Sequence, residues 1–352
     1  MKYTCVDSFC GAGGLGLGLQ RAGFEILYSF DIDEKCIKTI KKNKSYFNHE
    51  AEVQDITNLL DGKVLRKLKL KRGELFLLAG GPPCQGFSIQ RRGDDIDERN
   101  QLVLKYAQLI NELYPYYFMM ENVGGIAGKR GKHILKTLIS DVESNGYRVH
   151  IKLLDAQEYG VPQRRKRYIL IGERIDLGDN YKYPKTIKGI HTVREVIGFL
   201  PEPPLDGSDH PDYSLHRRDR LSPKNLERIN AIHEGQGRDD LPDELLADCH
   251  KINSSIIGYR NVYGRMSWDD VAPTITARFD SFTRGKFGHP DQPRSISLRE
   301  GALLQTFPID FEFEGNKVDI ARQIGNAVPP VLAECIGRSI LSAYEKGRKN
   351  GI

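Results

Sequence analysis

Cys84 stands in a short, rigid turn, which is an unusual place for a structural cysteine. The turn reads Gly80-Gly81-Pro82-Pro83-Cys84-Gln85-Gly86 and follows the apolar run Phe76–Ala79. Two glycines and two prolines restrict its backbone to an unusual path. A structural cysteine more often lies inside an apolar run, where it acts as a small hydrophobic side chain. The turn therefore favours a reactive role for Cys84.

A carboxylate and an amide end a second apolar run, Phe118-Met119-Met120-Glu121-Asn122-Val123. If both runs are parallel strands, their carboxyl ends deliver Cys84 and Glu121 to the same edge of a sheet. A partly buried carboxyl group can share a proton with a ring nitrogen, and an amide can hold the strand end. Taken alone, Glu121 could equally cap a turn or pair with an arginine.

A glycine-rich turn follows the first apolar run, in Asp7-Ser8-Phe9-Cys10-Gly11-Ala12-Gly13-Gly14-Leu15-Gly16. Such glycines let the backbone turn tightly and approach a ligand at a helix N-terminus. Gly11, Gly13 and Gly16 satisfy GxGxxG, and Asp31 follows where a dinucleotide-binding fold places a ribose-binding acid. The turn predicts an adenosine-containing cofactor and leaves a nicotinamide dinucleotide open.

A basic run, Gln163-Arg164-Arg165-Lys166-Arg167, lies further along the chain. Alternation along a strand would point Gln163, Arg165 and Arg167 to one face. The arginine fork suits a phosphate or a base carbonyl, although basic runs are often only solvated surface.

Apolar runs of strand length alternate with amphipathic runs of helix length up to about residue 175. This alternation predicts an α/β domain with an open, mostly parallel sheet and helices on both faces. The later chain is rich in Pro, Gly, Asp and Arg and predicts a second, less regular domain before a final helix at Val331–Lys346. The predicted strands are Thr4–Phe9, Ile26–Ile32, Leu75–Ala79, Tyr117–Glu121, Val149–Leu154 and Arg167–Ile171, and the predicted helices are Leu15–Ala22, Asp33–Asn43, Leu102–Leu113 and His133–Asn145.

Composition narrows the class of protein but does not identify it. The chain has 352 residues, a formal net charge of +5 and 39% hydrophobic residues, and its mean hydropathy is -0.47. It has no apolar stretch of membrane-spanning length and no signal-peptide pattern at its start, so we expect a cytoplasmic protein without membrane contact. Its six cysteines show neither CxxC pairs nor zinc-ligand spacing, so we expect free thiols and no metal.

Taken together, the motifs resemble those of the DNA cytosine-5 methyltransferase family of the bacterial restriction-modification type. Six blocks occur in the family's order across nearly the whole chain. They are Phe9–Gly14, Gly81–Gln85, Glu121–Val123, Gln163–Arg167, Leu298–Glu300 and Gln323–Val328.

The resemblance implies a class I S-adenosylmethionine-dependent methyltransferase sheet, which is Rossmann-like, with a smaller, irregular target-recognition domain. It places the catalytic domain at residues 1–183 plus 322–352 and the recognition domain at residues 184–321.

The resemblance also implies a reaction with a cytosine that is flipped out of duplex DNA. Cys84 would attack carbon 6, Glu121 would bind ring nitrogen 3, and Arg167, with Arg165 in support, would hold the exocyclic oxygen. Asn122 would orient the Cys84 loop. The methyl donor would be S-adenosylmethionine, with S-adenosylhomocysteine as product.

Several further residues are assigned through the resemblance. The family often has Glu and a bulky aromatic where this chain has Asp31-Ile32, which weakens the ring packing expected there. The cofactor residues would be Phe9, Gly11, Ala12, Gly13, Gly14, Asp31, Ile32, Asp55, Ile56, Gly81, Pro83, Leu102, Asn326 and Ala327. The DNA contacts would include Ser88, Gln90, Arg91 and Arg92 of a closing loop, and Gln163.

The recognition domain would read the target sequence with basic side chains. The expected partners are double-stranded DNA and, without direct contact, a restriction endonuclease that cuts the same site; the enzyme itself is expected to be a monomer. An RNA cytosine-5 methyltransferase acting on transfer RNA and a NAD-dependent oxidoreductase remain alternatives. The basic residues of the recognition domain include His216–Arg220, Arg260, Arg265, Arg278, Arg284 and Lys286.

Overall fold

The computed structural model describes residues 2–83, 101–129, 131–248 and 262–349. The chain forms two compact units. Unit 1 comprises Met1–Tyr159, Lys166–Thr186 and Val328–Ile352, and unit 2 comprises Gly160–Arg165 and Ile187–Ala327. The expected domain boundaries stay a prediction. The units differ from them in that 160–165 and 322–327 belong to unit 2.

Unit 1 is built on a mixed seven-stranded sheet. The strand order is β3-β2-β1-β4-β5-β7-β6. Strands β1 to β5 are parallel to one another, while β7 runs antiparallel to both of its neighbours. The strands are β1 Thr4–Ser8, β2 Glu25–Asp31, β3 Glu50–Val53, β4 Leu77–Gly80, β5 Tyr117–Val123, β6 Tyr147–Asp155 and β7 Lys166–Arg174.

Helices flank this sheet, which confirms the predicted α/β class. The central strands β4 and β5 are almost wholly buried, as expected for parallel strands covered on both faces. The helices of unit 1 are α1 Gly14–Ala22, α2 Glu34–Lys42, α3 Lys63–Leu68, α4 Gln101–Leu113, α5 Lys132–Ser144 and, at the end of the chain, Pro330–Lys349.

Two elements of unit 1 were absent from the sequence prediction. Strand β3 reads Glu-Ala-Glu-Val and lies at the edge of the sheet, so its polar composition gave no apolar run. Helix α3 has only six residues. Both are too short for hydrophobic periodicity to identify them.

Unit 2 has short helices joined by irregular segments, as the Pro- and Gly-rich sequence predicts. Its α-helices are α6 Val193–Ile197, α7 Pro223–Asn230, α8 Leu298–Leu304 and α9 Lys317–Asn326, so that the final helix of unit 1, Pro330–Lys349, is α10. Ile229, Ile232, Leu241 and Phe282 form a small apolar cluster in this unit.

Among the helices that the structure describes, none is both long and apolar enough to span a membrane.

Candidate active site

The carboxyl ends of β4 and β5 place two of the predicted motifs side by side. Gly80 pairs with Met120 in the parallel register, so Gly81, the first residue after β4, lies beside Glu121 of β5 at the same edge. A Cβ atom added to Gly81 would lie 3.6 Å from Glu121 Oε2. The turn that leads to Cys84 therefore borders the Glu121 carboxylate, whereas Cys84 itself lies outside the described residues.

Asn122 fastens this turn to β5. Its Nδ2 donates a hydrogen bond to the carbonyl oxygen of Pro82 at 3.1 Å, and its Oδ1 accepts one from the amide of Val123 at 2.8 Å. The side chain is buried, so water competes little for these bonds. Asn122 thus fixes the backbone two residues before Cys84.

Glu121 and Arg167 form a largely buried ion pair. Antiparallel pairing aligns Val123 with Arg167, and Arg167 Nε lies 2.8 Å from Glu121 Oε1. Glu121 Oε1 has no hydrogen-bond partner among the described residues. Arg167 Nη1 donates to the carbonyl of Lys166. The carboxylate is therefore held by charge yet keeps a free acceptor atom.

The glycine-rich turn has the shape expected of a ligand-binding loop. Phe9, Gly11 and Gly13 adopt positive φ angles of 52°, 51° and 86°, which suit glycine and strain a larger residue. Gly13 caps helix α1 without any side-chain hydrogen bond, and a helix start of this kind can receive a ligand carboxylate. A Cβ atom at Gly11 would meet no atom within 4 Å, which shows that the turn borders open space.

Asp31 connects the end of β2 to this turn. Its Oδ2 accepts a hydrogen bond from the Gly11 amide at 2.9 Å, and its Oδ1 accepts one from the Asp33 amide at 2.9 Å. Burial raises the pKa of the carboxyl above its ordinary value, while the two amide donors oppose that rise. Each oxygen retains lone-pair capacity, so Asp31 can position the turn and also accept from a ribose hydroxyl.

The remaining residues of unit 1 that we expect to bind the cofactor lie at or beside the same edge of the sheet. Asp55 follows β3 and accepts a hydrogen bond from the Thr57 amide at 2.7 Å, which caps the short 3-10 helix that begins at Ile56. Ile56 is buried, whereas Ile32 is 71% exposed. Ile32 is therefore free to pack against a flat ring, with less area than an aromatic residue would offer.

Phe9 and Leu102 pack against the apolar cluster of unit 1. The ring of Phe9 lies 6.3 Å from that of Phe30 and 6.4 Å from that of Tyr106, measured between centroids. Within the glycine-rich turn, Ala12, Gly13 and Gly14 are buried. Pro83 is the last described residue before Cys84.

Four of the expected site residues belong to unit 2. Arg165 is buried there, and its guanidinium donates to the carbonyls of Ile275, Gly325 and Ala327. Asn326 is exposed at the end of α9, and Ala327 is buried. The guanidinium donors of Arg165 thus bind backbone carbonyl oxygens. The expected contact of Arg165 with the exocyclic oxygen of cytosine stays a prediction.

Gln163 is the fourth expected site residue in unit 2, and both ends of its side-chain amide form hydrogen bonds within that unit. Nε2 donates to the carbonyl of Leu304 and to Gln305 Oε1, while Oε1 accepts from the Ile275 amide. Its side chain is buried. The expected DNA contact stays a prediction, and it would require these bonds to break. The DNA-contact residues Ser88, Gln90, Arg91 and Arg92 lie outside the described residues.

Two buried residues near the site were not identified from the sequence. Tyr106 of α4 places its hydroxyl 3.1 Å from the Leu78 carbonyl and 2.8 Å from the Met119 carbonyl, between β4 and β5. Asp7 of β1 is fully buried, and burial raises the pKa of its carboxyl to about 8. A helical tyrosine and a strand aspartate carry no spacing signal, so only the fold could show their positions.

One group of side chains in unit 1 has the composition of a metal site. The nearest ligand atoms of His150, Glu173 and Asp179 lie within 4.8 Å of one another. Glu173 already accepts from the hydroxyl of Tyr117 and the amides of Asn180 and Tyr181. These hydrogen bonds satisfy the buried carboxylate of Glu173 without a metal ion.

Comparisons with known proteins agree with this geometry. The family model of the C-5 cytosine-specific DNA methylases matches residues 3–342. The chain is 37% identical to the Type II methylase M.HgiDII of Herpetosiphon aurantiacus, over 97% of this chain and 95% of that protein. It is 33% identical to the Type II methyltransferase M1.HphI of Haemophilus parahaemolyticus, over 97% and 87% of the two chains.

Solved structures share the fold. A protein from E. coli described as a DNA modification methyltransferase encoded within a prophage superimposes with a TM-score of 0.71 at 27% identity, over 97% of this chain and 99% of that one. A Spodoptera frugiperda DNMT2 mutant gives a TM-score of 0.61 at 18% identity, over 97% and 100% of the two chains. The sheet is thus the class I methyltransferase sheet, and the oxidoreductase alternative is excluded. The chain belongs to the C-5 cytosine-specific DNA methylase family and is a DNA cytosine-5 methyltransferase.

Proposed function

We propose that this enzyme transfers a methyl group from S-adenosylmethionine to carbon 5 of a flipped-out cytosine in a specific duplex sequence, through a covalent bond to Cys84. The observation that carries the proposal is the Glu121–Arg167 pair, with 2.8 Å between Nε and Oε1, beside the turn that leads to Cys84. A charged pair with a free acceptor atom suits the recognition of a polar ring edge.

The residues of unit 1 fit S-adenosylmethionine. The uncapped start of α1 suits the carboxylate of its methionine part, Asp31 suits the ribose hydroxyls, and exposed Ile32 with the Asp55-Ile56 step suits the adenine. Asn326 and Ala327 are the further cofactor residues of the proposal. When bound, this cofactor supplies the methyl group as an electrophile and becomes S-adenosylhomocysteine.

Cys84 supplies the nucleophile. Its thiolate forms a bond to carbon 6 of the cytosine, and ring nitrogen 3 takes up a proton, so that carbon 5 gains nucleophilic character. After carbon 5 is methylated, a base removes its proton, and that electron pair restores the double bond as the Cys84 thiolate leaves. The ring returns to aromaticity, and nitrogen 3 gives its proton back.

Glu121 holds and supplies the proton at nitrogen 3 through the oxygen that lacks a hydrogen-bond partner. Arg167 fixes the position of Glu121 and donates to the exocyclic oxygen. Asn122 positions the backbone before Cys84 through Pro82. Arg165, whose guanidinium donates to three carbonyls, is proposed as a supporting residue.

Access to carbons 5 and 6 requires the cytosine to leave the base stack. The segment with Ser88, Gln90, Arg91 and Arg92 would close over the DNA and exclude water. Residues 1–183 and 322–352 would then form the catalytic domain and residues 184–321 the recognition domain. The relatives named Type II methylases support a role in a restriction-modification system, in which an endonuclease cuts the same site unless it is methylated. We expect a monomer that acts in the cytoplasm.

Two experiments test the proposal. Methyl transfer from labelled S-adenosylmethionine should occur with duplex DNA and not with transfer RNA, and bisulfite sequencing of DNA from expressing cells should show one methylated motif. Transfer to RNA alone would overturn it.

The variant Cys84→Ser tests the covalent step. It should bind S-adenosylhomocysteine and DNA but lose turnover, because a serine hydroxyl is a poor nucleophile at neutral pH. Its matched control is Cys36→Ser, at a buried cysteine of α2. Near-normal methylation by Cys84→Ser would contradict the mechanism.

A further inference from the structure

Most arginines of unit 2 are engaged within the unit itself. Arg265 is buried and donates to the carbonyls of Ile229, Ile232, His289, Pro290 and Gln292. Arg299 donates to the carbonyls of Ser214 and Phe311. These two buried guanidinium groups organise the backbone of unit 2 and point most of their donors at its carbonyls.

Other basic side chains of the same unit, which are less buried, are mostly paired as well. Arg278 lies 3.2 Å from Asp280, Arg217 lies 3.8 Å from Asp209, and Arg218 pairs with Glu202. Lys286 donates to the carbonyl of Gly235. Within the described part of unit 2, the arginines whose guanidinium has neither an ion pair nor a hydrogen bond are Arg220 and Arg284.

Arg284 differs from Arg220 in the rigidity of its support. It ends the 3-10 helix Phe282–Arg284, and its amide donates to the carbonyl of Ser281 at 3.0 Å. Phe282 is buried in the apolar cluster of unit 2, and its carbonyl accepts from the Tyr263 amide at 3.2 Å. Arg220 lies in a segment without regular secondary structure.

The residues around Phe282 and Arg284 hold the turn from both sides. The ring of Tyr263 packs edge-on to Phe282 with 5.7 Å between centroids, and the guanidinium carbon of Arg228 lies 4.7 Å from the centre of the Tyr263 ring. On the other side, a Cβ atom at Gly285 would overlap the ring of Phe287. The backbone on each side of Arg284 is therefore fixed, while its side chain is exposed.

We infer that Arg284 is a specificity-determining residue, whose guanidinium binds the O6 and N7 atoms of a guanine in the recognition sequence. This inference rests on the proposed function. A free arginine fork on a fixed backbone is preorganised for two parallel hydrogen bonds, and guanine offers that acceptor pair in the major groove. The duplex that this enzyme recognises contains at least one guanine, because the target cytosine is paired with a guanine.

The test begins with the motif of the wild-type enzyme, found by bisulfite sequencing of DNA from expressing cells. Duplexes in which each guanine in turn is replaced by 7-deazaguanine then remove one N7 acceptor at a time. We expect one position at which this change lowers kcat/KM of the wild type by roughly tenfold. At that position Arg284→Ala should show no further loss, and its motif in cells should be relaxed there.

Two further variants separate base reading from other roles. Arg284→Lys keeps the charge and loses the fork, so it should behave like Arg284→Ala, whereas a phosphate contact would be restored by lysine. Arg338→Ala removes an exposed arginine of α10 in unit 1 and should keep the wild-type motif. Melting temperatures and S-adenosylhomocysteine affinity of all variants should match the wild type.

The inference is overturned if Arg284→Ala keeps the wild-type motif and remains sensitive to 7-deazaguanine at every position, or if Arg284→Lys restores full discrimination. The proposed function fails separately, if the wild-type enzyme methylates no duplex DNA.

Discussion

Arg167 on β7 places its Nε 2.8 Å from Oε1 of Glu121 on β5, and both side chains are mostly shielded from solvent. The two strands are hydrogen-bonded neighbours, so the sheet itself enforces the pairing. A carboxylate held in this way can meet a ring nitrogen without reorganisation, which is how a preorganised polar site lowers a barrier.

Glu121→Gln should lower the rate of methyl transfer by about 10²- to 10⁴-fold, the range typical for loss of a general acid. The amide keeps the size of the side chain but cannot give a proton to nitrogen 3. Single-turnover methyl transfer measures the rate, and binding of S-adenosylhomocysteine and duplex DNA should change little. Glu143→Gln, at an exposed site on α5, is the matched control. A rate within a few-fold of wild type would exclude Glu121 from proton transfer.

The sheet and its carboxyl edge could be predicted from the sequence because apolar runs end abruptly in Gly-rich or polar residues. The run Phe118–Met120 before Glu121 is an example, and β5 ends at Val123. The buried positions of the Gln163 and Arg165 side chains could not be predicted in this way. Strand alternation holds only within a strand, and β7 begins at Lys166, so both residues face the interior of unit 2. The position of Tyr106 between two carbonyls likewise depends on how α4 packs on the sheet.

Asp31→Ala should weaken binding of S-adenosylhomocysteine by at least about tenfold, because it removes both the ribose acceptor and the anchor of the Gly11 and Asp33 amides. Asp31→Asn keeps one acceptor oxygen and should give a smaller loss. Calorimetric titration of the two variants measures this order. Equal affinity of Asp31→Ala and the wild type would remove Asp31 from the cofactor site.

Gly18→Ala should destabilise the protein by about 1–3 kcal/mol, the usual cost of overpacking. Helix α1 packs directly on α10 at Gly18, where an added Cβ would lie 2.9 Å from the Glu334 amide nitrogen and closer still to the Pro330 carbonyl. Backbone atoms cannot move aside as a flexible side chain can. Gly124→Ala, where a Cβ would meet nothing within 4 Å, is the control, and urea unfolding gives both free energies. Equal free energies of unfolding for the two variants would show that α1 and α10 can move apart to admit the methyl group without loss of stability.

Asp7 should make the stability of the enzyme depend on pH in an unusual direction. Burial, aided by the negative charge of Asp31, raises the pKa of its carboxyl to about 8, although the Gly16 amide opposes the rise. An unfolded aspartate has a pKa of about 3.9, so between these values the native state binds a proton that the unfolded state has lost.

Because stability falls with pH wherever the native state binds more protons, this group should lower the free energy of unfolding as pH rises from about 4 to about 8. Its largest slope is about 1.4 kcal/mol per pH unit. Asp7→Asn cannot ionise and should remove that slope, whatever constant offset the amide introduces. Urea unfolding of both proteins at pH 5.5, 6.5 and 7.5 (about one unit apart, within this window) measures the difference in slope. A constant difference between the two proteins across these conditions would mean that Asp7 is already ionised in the folded enzyme.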